Sequence, residues 1–300
     1  MPQIAVLIPD PSDRSYIGRW PEVLDRLKAV LEQTGATVTA IPWTDHVEDA
    51  ALLGDYDLIL PVIAWGYHRD HARWLTACGT WTRAGLPVAN PAEVLRWNSD
   101  KTYLARLADK GVPIPPTRWT DDVTPDQVAA AFAETGAPML IVKPTVSAGA
   151  FRTLRLSPGE PLTEPPQGAA MIQPYLKSIE TEGETSLLFF GGRFSHAVNK
   201  RPVPGDFRIQ MQFGGLYRAV TPDAEAMVLA ERVLAAIAES LLYARIDLAR
   251  DDAGRWVLME AELIEPDFYL DHDPSDGAGL AQAVAERQTA KGRTRGARAS

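Results

Sequence analysis

Residues 242–263 read LYARIDLARDDAGRWVLMEAEL. The two largely apolar halves, Leu242–Ala249 and Trp256–Leu263, have the length of strands, and Asp251-Asp252-Ala253-Gly254 between them has turn chemistry. Side chains alternate along a strand, so Glu260 and Glu262 share one face. Pairing through the turn lets Asp247 join that face. Three carboxylates converging there repel one another unless a cation neutralises them. Magnesium, with hard oxygen ligands and nucleotide phosphates completing its shell, suits such a set. The plain alternative is a solvated sheet face with alternating charge. Val257, Leu258 and Leu263 weigh against it by indicating a half-buried strand.

Upstream lies a second constellation. Lys143 ends the apolar run Met139-Leu140-Ile141-Val142, ahead of Pro144. An ammonium at the end of a buried strand can stand over phosphate oxygens. The small residues that follow, Ser147, Ala148 and Gly149, let backbone N–H groups approach the same anion. Taken alone, the segment is equally an ordinary hairpin with a snorkelling lysine. Between the two constellations, Gln173-Pro174-Tyr175-Leu176 and then Gly183-Glu184-Thr185 offer free backbone groups and an acidic side chain, suited to an adenine edge and ribose hydroxyls. Lys200-Arg201 and Arg208 can neutralise a phosphate or a substrate carboxylate, arginine doing so in bidentate fashion. As surface charges these residues would be unremarkable.

Further out, the first ninety residues alternate strand and helix signals. Ile4–Ile8 is a continuous apolar run, Trp20–Gln33 an amphipathic helix pattern, Thr37–Pro42 and Leu58–Ile63 further strands, and Ala72–Ala84 another helix. Such alternation implies βαβ units and a parallel sheet, with ligands at the carboxyl ends of strands, here loops 9–16 and 64–71. The next block starts near Asn98-Ser99-Asp100-Lys101. There Ser99 or Asp100 is expected to cap a helix over 101–110, and a helix over 124–135 follows. Strands are expected at 117–119, 138–143, 153–156, 171–175, 186–190 and 193–199, and helices at 224–240 and 277–289.

The chain has 300 residues, 46% hydrophobic and 23% charged, enough for several compact units with real cores. Its 30 Lys+Arg against 39 Asp+Glu give a formal charge of −9, without the clustered basic footprint of a nucleic-acid binder. The exception is Lys291–Arg298, read as part of a disordered basic tail over 289–300. One cysteine, Cys78, cannot form an internal disulfide. The opening apolar run is too short to span a bilayer and lacks signal-peptide features, so a cytoplasmic protein without membrane partners is expected. P-loop, dinucleotide-fingerprint and nucleophile-elbow motifs are absent. His68, Asp70 and His71 lack zinc-helix spacing.

In their order and spacing these pieces resemble the ATP-grasp superfamily, especially its prokaryotic glutathione synthetase branch, over roughly residues 90–285. The resemblance implies an α/β fold. An N-terminal parallel-sheet domain (1–95) is followed by a two-part ATP-grasp unit, with a central lid subdomain (96–170) and a C-terminal subdomain (171–288). It assigns nucleotide contacts to Lys101, Lys143, Ser147, Gly149, Gln173, Tyr175, Leu176, Glu184 and Arg201. It implies magnesium at Asp247, Glu260 and Glu262, and catalytic roles for Lys143, Arg201 and Arg208, with Arg208 orienting the intermediate. Two departures stand out: Glu262 replaces an asparagine common in relatives, and Glu265-Pro266 replaces a small residue before Pro-Gly. The strings around 96–98, 205–208 and 260–266 are similar to a subgroup that includes a cycloserine-forming cyclo-ligase acting on O-ureido-serine, in antibiotic biosynthesis. The implied activity is ATP- and Mg2+-dependent ligation of a small amino-acid substrate through an acyl phosphate, with loop 146–151 and the central subdomain moving as a lid. A glutathione-synthetase-like peptide ligase and a non-catalytic ATP sensor are the alternatives. The sequence does not set the oligomeric state, and a homodimer stays open.

Overall fold

The computed structural model describes residues 1–16 and 18–298, with side chains to residue 290. At the N-terminus three parallel strands lie in the order β2-β1-β3: β1 Gln3–Ile8, β2 Thr37–Pro42 and β3 Leu58–Leu60. Ile4, Val6 and Ile8 enter one core, with Leu27, Val30 and Leu31 of helix α1 (Arg19–Glu32). Ala5 and Leu7 enter another, with Trp74 and Trp81 of helix α2 (His71–Arg83). Burial on both faces explains why β1 reads as an unbroken apolar run.

Helices α3 (Ala92–Asn98) and α4 (Tyr103–Asp109) lead to a four-stranded antiparallel sheet in the order β4-β7-β5-β6. Its strands are β4 Arg118–Thr120, β5 Leu140–Pro144, β6 Leu154–Leu156 and β7 Ala170–Pro174. Helix α5 (Pro125–Thr135) covers it, capped by Thr124, whose hydroxyl accepts from the Gln127 N–H, with proline at its start. Helix α4 starts two residues later than its sequence pattern suggests. The Asp100 carboxylate accepts the Thr102 N–H in a turn, and the Lys101 N–H donates to the Thr145 carbonyl. Lys101 is therefore tied to the exit of β5 rather than coiled into the helix.

The third sheet is antiparallel, in the order β10-β9-β8-β11-β12. It comprises β8 Glu184–Phe190, β9 Arg193–Arg201, β10 Leu216–Val220, β11 Tyr243–Arg250 and β12 Trp256–Glu262, with the short helix α6 (Ser178–Thr181) before it and α7 (Ala224–Ile237) packed on it. β10 has no counterpart among the sequence expectations; as an edge strand with no buried residue it carries no apolar alternation. The last helix, α8, runs Ala278–Arg298, so the backbone of residues 289–298, read from sequence as a tail, continues the helix; residues 299–300 lie outside the described ones. Among the described residues no helix is long and apolar enough to cross a membrane.

Candidate active site

β11 and β12 pair with Asp247 opposite Glu260 and Arg245 opposite Glu262, and the register shifts between Asp247 and Leu248. Leu248 pairs with Leu258, which leaves Met259 as the extra residue of a bulge. In an unbroken strand Met259 and Glu260 would face opposite ways. Here Met259, Glu260 and Glu262 all line one cavity of about 750 Å³, together with Arg245 and Asp247. Leu258, Ala261 and Leu263 go to the core behind.

The carboxylates on this face do not stand alone. Glu260 receives Lys143 at 3.3 Å and Lys101 at 3.7 Å. Asp247 takes the Arg245 guanidinium at 2.9 Å, Lys200 at 3.3 Å and the Ser186 hydroxyl at 2.6 Å. Glu262 is bonded to Arg245, and Glu184 to Lys200 at 2.7 Å. Sequence reasoning expects three carboxylates needing a foreign cation; the structure shows that four protein cations already interleave with them. Burial works against the Glu260 anion, yet Lys101 and Lys143 hold its carboxyl below the usual range. Asp247 likewise stays ionised despite burial, through Arg245 and Lys200. Glu262 goes the other way: burial, reinforced by Asp247 and Glu260, pushes it up to about 7 against the pull of Arg245.

Among the described residues no group of three or more His, Cys, Asp or Glu side chains is arranged to hold a metal ion as it stands. The donors nevertheless fit a hard divalent cation chemically, being carboxylate oxygens on one face of a cavity. They fit it only in competition with the lysines and Arg245.

Most of the residues expected at the site line this cavity: Lys101, Lys143, Ser147, Gly149, Gln173, Tyr175, Leu176, Glu184, Arg208, Asp247, Glu260 and Glu262. The Lys101 ammonium donates to the Ser147 carbonyl at 2.9 Å, which fastens the small-residue loop to it. Ser147 donates its hydroxyl to the Pro144 carbonyl, and Gln173 reaches the Thr117 hydroxyl. Tyr175 donates to Glu180 at 2.8 Å, and Leu176 is buried with Ile179 and Ile209, giving this end an apolar floor. Arg208 faces the cavity but is held by Asp206 at 2.8 Å and stacks on Phe213 at 3.7 Å.

Arg201 is the exception. It donates to the Glu182 carbonyl and to Asn199, away from the cavity. Its neighbour Lys200 occupies the interior position, because alternation along β9 puts residues 198 and 200 on one face and 199 and 201 on the other. Arg245 is a site residue not singled out from sequence, although its place two residues from Asp247 in an apolar strand is a readable signal. Burial disfavours the Lys200 ammonium, yet Asp247 and Glu184 keep it firmly protonated; Asp247 and Glu262 do the same for Arg245.

The far end of the cavity is walled by the N-terminal unit. Tyr16 and Trp65 rings lie 5.5 Å apart, Arg69 stacks on Tyr16 at 4.7 Å while pairing with Asp13, and His68 contacts Phe151 of the small-residue loop at 5.9 Å. His71 meets Ser99, and Asp70 caps α2. Loop 205–215 closes another side. A Cβ on Gly215 would lie 1.9 Å from the Ile209 carbonyl oxygen, a backbone atom that cannot swing aside. Gly215→Ala is therefore expected to displace this loop and lower kcat/KM by about tenfold or more, with little change in the urea midpoint. Wild-type kinetics in that variant would remove the loop from the site.

Fold and site together are similar to those of ATP-grasp ligases. Residues 11–90 match the family model described as the N-terminal domain of D-cycloserine synthetase DcsG. The cycloserine biosynthesis protein DcsG of Streptomyces lavendulae is 28% identical over 290 residues, covering 89% of this chain and 93% of that one. The crystal structure of D-cycloserine synthetase DcsG superposes with a TM-score of 0.77 at 25% identity, covering 95% of this chain and 99% of that one. The ATP-grasp ligase PsnB, solved with a precursor variant, Mg and ADP, gives 0.64 at 15% identity over 95% and 98%.

Proposed function

We propose that this chain is an ATP- and magnesium-dependent ligase that activates the carboxylate of a small amino acid, and that the reaction closes a ring as in cycloserine formation. The observation that carries this reading is the single cavity running from the Tyr175–Leu176 floor, past four cations, to the aromatic wall at Tyr16 and Trp65. Its volume of about 750 Å³ suits a nucleotide together with a small molecule. The similarity to the cycloserine biosynthesis protein supports the narrower reading.

In this reading Gln173, Tyr175 and Leu176 hold the adenine and Glu184 the ribose. Lys101, Lys143 and Lys200 neutralise the phosphates, aided by backbone N–H groups around Ser147 and Gly149. Glu260 and Glu262, with Asp247, would hold magnesium, which would supply neutralisation of phosphate charge. A substrate carboxylate oxygen attacks the γ-phosphorus, the bond to the bridging oxygen breaks, and ADP leaves. A nitrogen of the same molecule then attacks the acyl carbon, phosphate departs, and the nitrogen loses a proton. Positioning and charge carry both steps, and an intramolecular nucleophile needs no second substrate site. Arg208, once drawn from Asp206, would orient the intermediate. The contact of His68 with Phe151 supports the 146–151 loop as a water-excluding lid. Dependence on ATP implies a cytoplasmic location.

Mass spectrometry after incubation with ATP, magnesium and an amino-acid panel including O-ureido-serine tests the reading. The expected product is a ring lighter than its linear precursor, formed with ADP. Tight ATP binding without turnover on any amino acid would instead favour a sensor, and a product joining two amino acids a peptide ligase.

A further inference from the structure

We propose that Glu265 binds the ammonium group of the amino-acid substrate, so that the site reads a zwitterion. The assignment rests on the ligase reading above and adds its substrate-recognition element. Glu265 follows β12 by three residues and lines the same cavity as Tyr16, Trp65 and Tyr269. Every other inward carboxylate at the site has a protein cation: Glu184 and Asp247 have Lys200, Glu260 has the two lysines, and Glu262 has Arg245. Asp267, toward the solvent, accepts the Tyr269 N–H. Among the described residues nothing donates to the Glu265 carboxyl or forms an ion pair with it.

A half-buried, partnerless carboxyl in a cavity is costly unless a ligand completes it. Burial, with Glu262 and Glu260 nearby, pushes its pKa up to about 8, more than the nearby cations offset. Arg245 and Lys101 pull the other way but are committed to Asp247, Glu262 and Glu260. A substrate ammonium supplies the missing cation. In an α-amino acid that group is two bonds from the carboxylate carbon, so a carboxylate brought to the lysine cluster carries its ammonium into the part of the cavity where Glu265 stands.

The test uses calorimetry to titrate O-ureido-serine and its desamino analogue, with hydrogen in place of the amine, in the presence of a non-hydrolysable ATP analogue. Wild-type protein is expected to prefer the amine by about 10- to 100-fold, the range of a charge-assisted hydrogen bond. Glu265→Gln should reduce that preference below about threefold and raise KM for the amino acid, with KM for ATP little changed. Glu265→Asp should recover part of the preference. Equal binding of the two probes by the wild type, or no binding of either, overturns the assignment without any variant having to fold. So does an unchanged preference in Glu265→Gln. Failure of the ligase reading looks different: no ADP is released with any amino acid, a readout the titration does not use.

Discussion

Replacing Lys143 by alanine is expected to cut magnesium-dependent ADP formation by about 10²- to 10³-fold, the scale of removing one preorganised charge-stabilising donor. The lysine ends β5 inside the cavity with 13% of its side chain exposed, 3.3 Å from Glu260. Its removal withdraws a positive charge from the place where phosphoryl charge would develop. It leaves Glu260 to Lys101 alone, 3.7 Å away. Because Lys101 still neutralises that carboxylate, the fold should survive, with a melting temperature within about 4 °C of the parent. Lys143→Arg keeps the charge but changes its shape, and should fall between the two. Wild-type ADP formation by the alanine variant would take Lys143 out of the mechanism.

Why Lys143 and Glu260 were each legible and their pairing was not follows from the range of the interactions. A lysine closing an apolar run is a local signal, like the buried run of β1, the Thr124–Pro125 start of α5, or the turn between β11 and β12. The pairing of Lys143 with Glu260 joins residues 117 positions apart, and that of Lys200 with Asp247 spans 47. Sequence alone therefore showed carboxylates in need of a cation without showing that four cations were already there. The facing of Arg201 and Lys200 was lost for a different reason. The alternation of β9 was readable, with Lys200 in phase with buried Val198, but the stronger oxyanion chemistry of arginine was given more weight than the facing. β10 was missed because an exposed edge strand leaves no apolar pattern to read.

Arg245→Met is expected to destabilise the protein by about 3–5 kcal/mol, the loss typical when one partner of a buried ion pair is removed. Methionine fills a similar volume, so the effect isolates charge from packing. Arg245 is 6% exposed, donates to both Asp247 oxygens and to Glu262, and stacks on Tyr269 at 5.3 Å. Without it Asp247 retains Lys200 and Ser186, but Glu262 loses the single partner it has among the described residues. The pH dependence gives the sign. Glu262, already raised to about 7 in the folded chain by burial and its acidic neighbours, binds protons more tightly folded than unfolded. Its contribution therefore falls as pH rises from its unfolded value toward 7. Loss of Arg245 raises that affinity further, so the deficit of the variant should be larger at pH 8 than at pH 5. Asp247 acts oppositely: its depressed affinity contributes stability above the ordinary carboxylate range, and the variant forfeits part of this at both pH values. Urea unfolding at the two pH values measures the difference through the midpoint at unchanged m. Adding Glu262→Gln should return part of the stability at pH 8, because it removes the stranded charge. A deficit equal at both pH values, with no recovery in the double variant, would mean that Arg245 does not act by neutralising Glu262.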